Sequence, residues 1–189
     1  MPASRAQQAR RRPIKSLARR RWLLLLLPLL VGGSRDPGIL LELDLEQFAV
    51  QATDLQREAE GPRLRVVVGS PAHPTPVGDY PVFGIVRNPG WRPGETARSY
   101  GAVALLPSMD GPLGVAKIPF ARAGIALHGG ADPLLIGKPA SLGCVRALDS
   151  DVGVLLEWLE AQGVLAKARP QPDGEIHQSL RRPVRVVVR

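Results

Sequence analysis

Leu41-Glu42-Leu43-Asp44-Leu45-Glu46 alternates without a break, three leucines interleaved with three acids. That two-residue period puts the leucines on one face and the carboxylates on the other, as in a half-buried β-strand. A second apolar run, residues 48–52, follows almost directly, and a polar stretch at 53–61 separates it from residues 63–68, a strand closed by Gly69. Residues 71–78 are dense in proline and end on Gly78, which requires a loop of fixed φ angles. Residues 80–86 read as a strand with Pro81 at its start or on an edge. The segment 87–99, broken by Pro89, Gly90, Pro93 and Gly94 around Trp91, suits a long surface excursion of the kind that often forms lids. Trp91 is expected to pin that loop or to touch a substrate. Residues 118–120 and 124–127 are short enough to be buried strands. One convincing helix follows: Asp149 or Ser150 as its cap, Val152, Leu155, Leu156 and Leu159 on one face, and Gly163 as its end. After a polar stretch with Pro170 and Pro172, residues 184–188 make a closing strand, and His177 reads as a surface residue with no partner by spacing. No internal repeat stands out. The expectation is a mainly β fold of short strands with one main helix.

The chain has 189 residues, 25 basic and 17 acidic, for a formal charge of +8. Nine of the basic residues and none of the acidic ones lie in residues 1–35, so the remainder is close to neutral. The charge therefore argues neither for nucleic acid nor for an anionic surface as partner of the body. Within the head, a basic region runs into Trp22, five leucines, Pro28, Leu29, Leu30 and Val31. An apolar run of about ten residues is too short to span a bilayer and suits a secretory signal. Residues 1–35 are expected to be a signal peptide or signal anchor, cleaved or retained, and 36–189 a single domain exported to the periplasm or cell envelope. Any membrane contact would be through the head alone. A single cysteine, Cys144, excludes an internal disulfide, a CxxC zinc site and thiolate-held iron–sulfur clusters.

Two segments carry the chemistry: residues 125–130, IALHGG, and residues 141–146, SLGCVR. A thiol is a poor nucleophile until it loses its proton, and an imidazole can remove it. If pairing with His128 lowers the thiol pKa to about 6, the thiolate fraction near neutrality rises roughly 30-fold. Gly143 would let a carbonyl substrate approach the backbone, and the Cys144 amide could then donate to an oxyanion. The His128 ring also needs an acceptor. No Asp or Asn is placed for that by spacing, and a backbone carbonyl of Gly129 or Gly130 could serve. Arg146, two residues from the sulfur, could grip a substrate carboxylate with two hydrogen bonds.

A histidine-glycine, about a dozen intervening residues and then Ser-x-Gly-Cys-x-Arg resembles the active-site signature of the L,D-transpeptidase (YkuD-type) catalytic domain. Residues 40–48, the Val68-Gly69-Ser70 to Thr75-Pro76-Val77-Gly78 loop, Ile136-Gly137-Lys138 and the helix start at Asp151 are also similar to that family, over roughly residues 38–165. The resemblance implies a β-sandwich or barrel of short strands, with the main helix after the cysteine. It implies action on peptidoglycan stem tetrapeptides without cofactor or metal. Cys144 would be the nucleophile, His128 its base and Gly129 the source of the orienting carbonyl. Gly143 and Cys144 would shape the oxyanion site, with Ser141 and Arg146 positioning substrate. The product would be a 3→3 cross-link. An L,D-carboxypeptidase using water, or a catalytically weak peptidoglycan-binding module, are the alternatives. One position departs from the pattern: many members carry a second histidine where this chain has Leu142.

Overall fold

The computed structural model describes residues 37–121 and 124–189. The expected signal head, residues 1–35, lies outside the described residues. The chain forms β1 (Ile39–Asp44), β2 (Ala49–Asp54), β3 (Ala59–Gly69), β4 (Gly78–Arg87), α1 (Glu95–Ser99), β5 (Ala116–Pro119) and β6 (Ala126–His128). A 3-10 turn (Pro133–Leu135) leads to β7 (Pro139–Ser141), β8 (Val145–Ala147), α2 (Asp149–Ala161), β9 (Arg169–Pro170) and β10 (Ile176–Val188). The mainly β fold with one main helix is as expected.

Hydrogen-bonded neighbours run β1-β2-β3-β8-β6-β5-β4-β10, and residues 184–188 of β10 pair in parallel with residues 39–43 of β1. The sheet thus closes on itself as a barrel, which leaves no free edge along that circuit. β7 extends it beside β3, and β9 beside β10. The alternation read at 41–46 holds: Ile39, Leu41 and Leu43 are fully buried while Leu40, Glu42 and Asp44 face outward, partly covered. The strand ends two residues earlier than the alternation does. Asp44 Oδ1 accepts the amides of Glu46 (2.9 Å) and Gln47 (2.8 Å), and Phe48 takes φ +51°. A carboxylate that satisfies its own backbone two and three residues on competes with the ladder and turns the chain.

The same device recurs ten residues later. Asp54 Oδ1 accepts the amides of Gln56 and Arg57, and Glu58 takes φ +52°. The polar stretch 53–61 is therefore the end of β2, a tight turn and the start of β3, rather than a separating loop. Pro81 lies within β4, opposite Arg185 of β10, where β5 does not reach, since β5 pairs only with Val86 and Arg87. The closing strand begins at Ile176 instead of 184 and bends between Ser179 and Val184, so one strand pairs with β9 at one end and with β1 at the other. β7 and β8 are strands that the sequence pattern does not announce, each three residues long.

α2 buries Val152, Leu155, Leu156 and Leu159, four positions of one helical face. Each such side chain contributes about 2 kcal/mol relative to exposure. Its N-cap position is Leu148, with no side-chain cap, so neither Asp149 nor Ser150 caps it. Gly163, at φ +69°, follows the C-cap as expected. Among the described residues no helix is long and apolar enough to cross a membrane.

Candidate active site

β6 and β8 lie side by side in parallel, Leu127 opposite Val145 and His128 opposite Arg146. The strand period does the rest: Leu127 and Val145 enter the core, while His128 and Arg146 turn to the other face. Cys144, one residue before β8, shares that face. His128, Cys144, Arg146 and Leu142 all line one cleft of about 850 Å³. β5 adds Lys117, directly opposite His128 on its other side, so a row of Lys117, His128 and Arg146 crosses three strands. The excursion after β4 makes the far wall with Trp91, Arg92, Glu95, Pro112 and Leu113. The loop is tied at this point by backbone hydrogen bonds exchanged between Trp91 and Leu105 (3.0 and 2.8 Å), and Trp91 lines the cleft. A smaller hollow of about 320 Å³ is walled by Phe83, Ile85, His177 and Ser179 and does not include Cys144 or His128.

The imidazole is 2% exposed and its Nδ1 lies 2.7 Å from the Gly129 carbonyl. A carbonyl only accepts, so the proton sits on Nδ1 and Nε2 keeps its lone pair. Burial pushes the His128 pKa down to about 4, with Arg146 and Lys117 adding to the drop and the Gly129 carbonyl and Asp149 opposing it. The ring is neutral near pH 7 and able to take a proton.

The sulfur does not show the lowering of pKa that pairing with His128 would bring. Burial pushes the Cys144 thiol above its ordinary value, only partly offset by the Ala126 backbone and Arg146, and the thiol donates to the Gly124 carbonyl at 3.2 Å. The resting pair is neutral thiol and neutral imidazole, not thiolate and imidazolium. With the pair in that state, a base acting on the thiol would take its proton during an attack rather than before it.

The turn that presents Cys144 is built from behind. Ser141 is 1% exposed; its Oγ donates to the Cys144 carbonyl (2.5 Å) and accepts the Gly143 amide (3.1 Å). Its hydroxyl is engaged in the turn, and Ser141, expected to position substrate, does not line the cleft. The Gly143 amide is likewise engaged, and Gly143 sits at φ +108°, where any side chain would be strained. Thr75, 3% exposed, donates to the Gly143 carbonyl (3.0 Å) and accepts the Gly69 amide (2.9 Å). Gly69 in turn must lack a Cβ, because His73 and Thr75 backbone atoms occupy that space. The proline-fixed loop 71–78 is thus a brace for the turn that carries Cys144.

Spacing along the chain did not reveal Thr75, Lys117, Asp149 or Glu175. Glu175, 16% exposed at its side chain, accepts from the Gly90 amide (2.9 Å), Lys117 Nζ (3.4 Å) and His177 Nε2 (2.8 Å). Burial raises its pKa, but these hydrogen bonds outweigh that and the net shift is downward. His177 is exposed, as expected, yet it has this partner. Arg146 has its Nε buried without a hydrogen bond, and no carboxylate pairs with its guanidinium among the described residues. Nor is there a group of three or more His, Cys, Asp or Glu side chains, among the described residues, that could hold a metal ion.

A closed β-sheet that presents a cysteine, a buried neutral histidine and an unpaired arginine to one cleft has the layout of a cysteine-nucleophile enzyme. The sequence matches the model of the L,D-transpeptidase catalytic domain (YkuD) over residues 42–186, and the chain belongs to that family. Among solved structures it is similar to the catalytic domain of an Enterococcus faecium (E. faecium) L,D-transpeptidase, at 16% identity, TM-score 0.52, covering 83% of this chain and 100% of that one. It is similar also to L,D-transpeptidase 3 from Mycobacterium tuberculosis in complex with a faropenem-derived adduct, at 16% identity, TM-score 0.53, with coverage of 80% and 60%. A further L,D-transpeptidase from Mycobacterium tuberculosis H37Rv gives 16% identity, TM-score 0.52 and coverage of 80% and 57%. The chain thus spans 57 to 60% of the length of these mycobacterial structures. No curated protein matches the sequence at a significant level.

Proposed function

We propose that this protein is an exported L,D-transpeptidase that cross-links peptidoglycan stem peptides through a thioester on Cys144. The observation that carries the reading is the His128 ring, neutral, with Nδ1–H committed to Gly129 and Nε2 free, in one cleft with Cys144 and the unpaired Arg146.

As a donor tetrapeptide enters, Arg146 holds a carboxylate of the stem and His128 Nε2 takes the proton from Sγ. The thiolate attacks the carbonyl between the diamino acid and the terminal D-alanine. The Cys144 amide receives the developing oxyanion, since that of Gly143 is already given to Ser141. Collapse breaks the peptide bond, with His128 returning its proton to the departing D-alanine amine and a thioester left on sulfur. The side-chain amine of a second stem then attacks the thioester and gives up a proton to His128. Sulfur leaves as a thiolate, is reprotonated, and a 3→3 cross-link results. Ser141 and Thr75 serve this chemistry by fixing the turn, and Trp91 forms part of the wall against which the stem lies. Stem peptides are found outside the cytoplasmic membrane, which agrees with the signal-like head.

The test uses purified protein, a tetrapeptide donor and mass analysis of the products. Cross-linked 3→3 dimers are expected, together with one covalent adduct from a carbapenem-type acylating probe that Cys144→Ala loses. Tripeptides alone would make it a carboxypeptidase. Neither product, with no adduct, would leave a wall-binding module.

A further inference from the structure

The orienting partner of His128 is itself held by a carboxylate from another element. Asp149, first residue of α2, lies 34 positions from Val115 and 19 from Gly130, and its Oδ1 accepts both amides, at 2.8 and 3.2 Å. The Gly130 N–H and the Gly129 carbonyl belong to one peptide group, a rigid plane whose two ends point in opposite directions. One end meets the Asp149 carboxylate and the other meets His128 Nδ1–H. The sequence keeps this space open: a Cβ on Gly114 or on Gly129 would collide with Asp149 Oδ1.

We infer that Asp149 is a positioning residue for His128, acting through the Gly129–Gly130 peptide as a carboxylate–peptide–imidazole relay. The inference rests on the reading of His128 as the base. Pulling on the amide fixes the plane and makes the carbonyl a better acceptor, because hydrogen bonds in a chain polarise one another. The Nδ1–H tautomer is then the favoured one and Nε2 is left for Cys144. The charged groups acting on the ring are Lys117 from β5, Arg146 from β8 and Asp149 from α2, and Asp149 alone favours protonation among them.

The test reads the imidazole itself, so its result stands whether or not the protein proves to be a transpeptidase. Nitrogen-15 spectra of the full-length protein, with the His128 resonances assigned through His128→Gln, report tautomer and titration midpoint. The wild type is expected to be almost entirely Nδ1–H. Asp149→Ala should mix the two tautomers and slow acylation of Cys144 about 10-fold or more. Asp149→Asn retains an oxygen for both amides, and should restore the tautomer while the titration midpoint falls below that of the wild type. Should Asp149→Ala not fold, Asp149→Ser, whose hydroxyl is too short to reach both amides, asks the same question. An unchanged tautomer in Asp149→Ala or Asp149→Ser, or a tautomer in Asp149→Asn that is lost as fully as in them, would overturn the relay.

Discussion

Asp54 and His128 are both buried polar side chains, 0% and 2% exposed, and the fold treats them in opposite ways. Around Asp54 every need is met. Its carboxylate accepts from two backbone amides, from Arg57 Nη1 (3.0 Å) and from both terminal nitrogens of Arg182 (2.7 and 2.8 Å). The Arg182 fork holds its pKa well below the usual carboxylate range, against the opposing effect of burial. Around His128 one nitrogen is satisfied and one is left open, and its neighbour Arg146, unlike Arg182, pairs with no carboxylate among the described residues. An unpaired buried polar group costs free energy and is retained where something else is to pair with it. The contrast separates a cluster that holds the barrel together from one that is completed by substrate.

His128→Gln is the largest test of that contrast. On the proposed mechanism it removes the base, and it should lower the rate of Cys144 acylation about 10²- to 10⁴-fold. It should also alter acid stability in the protein's favour. The folded pKa of about 4 lies below the ordinary value of 6.5, so on acidification the unfolded chain takes up the proton first. Wild-type stability therefore falls from about pH 6.5 down to about 4 and loses no more to this group below that, a total of about 3 kcal/mol. Denaturant melts across this range should show that slope in the wild type and not in the variant. Equal slopes would mean that the imidazole is not held neutral.

Arg182→Ala probes the saturated cluster. Leaving Asp54 with Arg57 as its one cationic partner should cost about 3 kcal/mol of folding stability, read from the shift in denaturant midpoint. Acylation of Cys144 per folded molecule should stay within about twofold of the wild type, in line with the independence of distant sites. A large loss of catalysis without loss of stability would erase the distinction between the two centres.

Arg146→Lys is a smaller perturbation on the open side. Charge is kept but the two-pronged grip is lost, so kcat/KM for a tetrapeptide donor should fall about 10-fold, chiefly through KM. If the guanidinium only completes the cleft wall, steady-state kinetics will be unchanged.

How much of this could be read along the chain follows the same division. The alternation at 41–46 placed the first strand because a two-residue period is local, and the helix face Val152, Leu155, Leu156 and Leu159 was legible for the same reason. Cys144 and His128 were legible as candidates as well, since each lies in a short glycine-marked motif, and the fold brings both to one cleft. The two turns were not recognised, although Asp44-Leu45-Glu46-Gln47-Phe48 and Asp54-Leu55-Gln56-Arg57-Glu58 share one pattern, an aspartate followed by a left-handed residue four positions on. Lys117 and Asp149 were beyond reach for a different reason. They meet His128 only because the sheet places β5, β6 and β8 side by side and α2 begins directly after β8, an order fixed by long-range pairing. An aspartate at the start of a helix reads as a cap, and here tertiary structure uses its carboxylate elsewhere.

Leu142→His is expected to do least, and its smallness is informative. Leu142 stands on the cleft wall, 40% exposed, between the Ser141 hydroxyl that fixes the turn and the glycine that needs its φ of +108°. Its own backbone role in the turn does not depend on the side chain, and a half-open site tolerates exchange, so stability should change by less than about 0.5 kcal/mol. On the proposed mechanism the base comes from β6, and a second imidazole adds a hydrogen-bonding group beside the donor rather than a second proton acceptor at sulfur. Rates with a full tetrapeptide should therefore move by no more than about threefold, while shortened donors that lack the Arg146 contact should gain more than that, because one good hydrogen bond contributes about 1 kcal/mol. A gain of 100-fold on the tetrapeptide would show that His128 alone is an inadequate base, and that the open nitrogen on β6 is not where the chemistry turns.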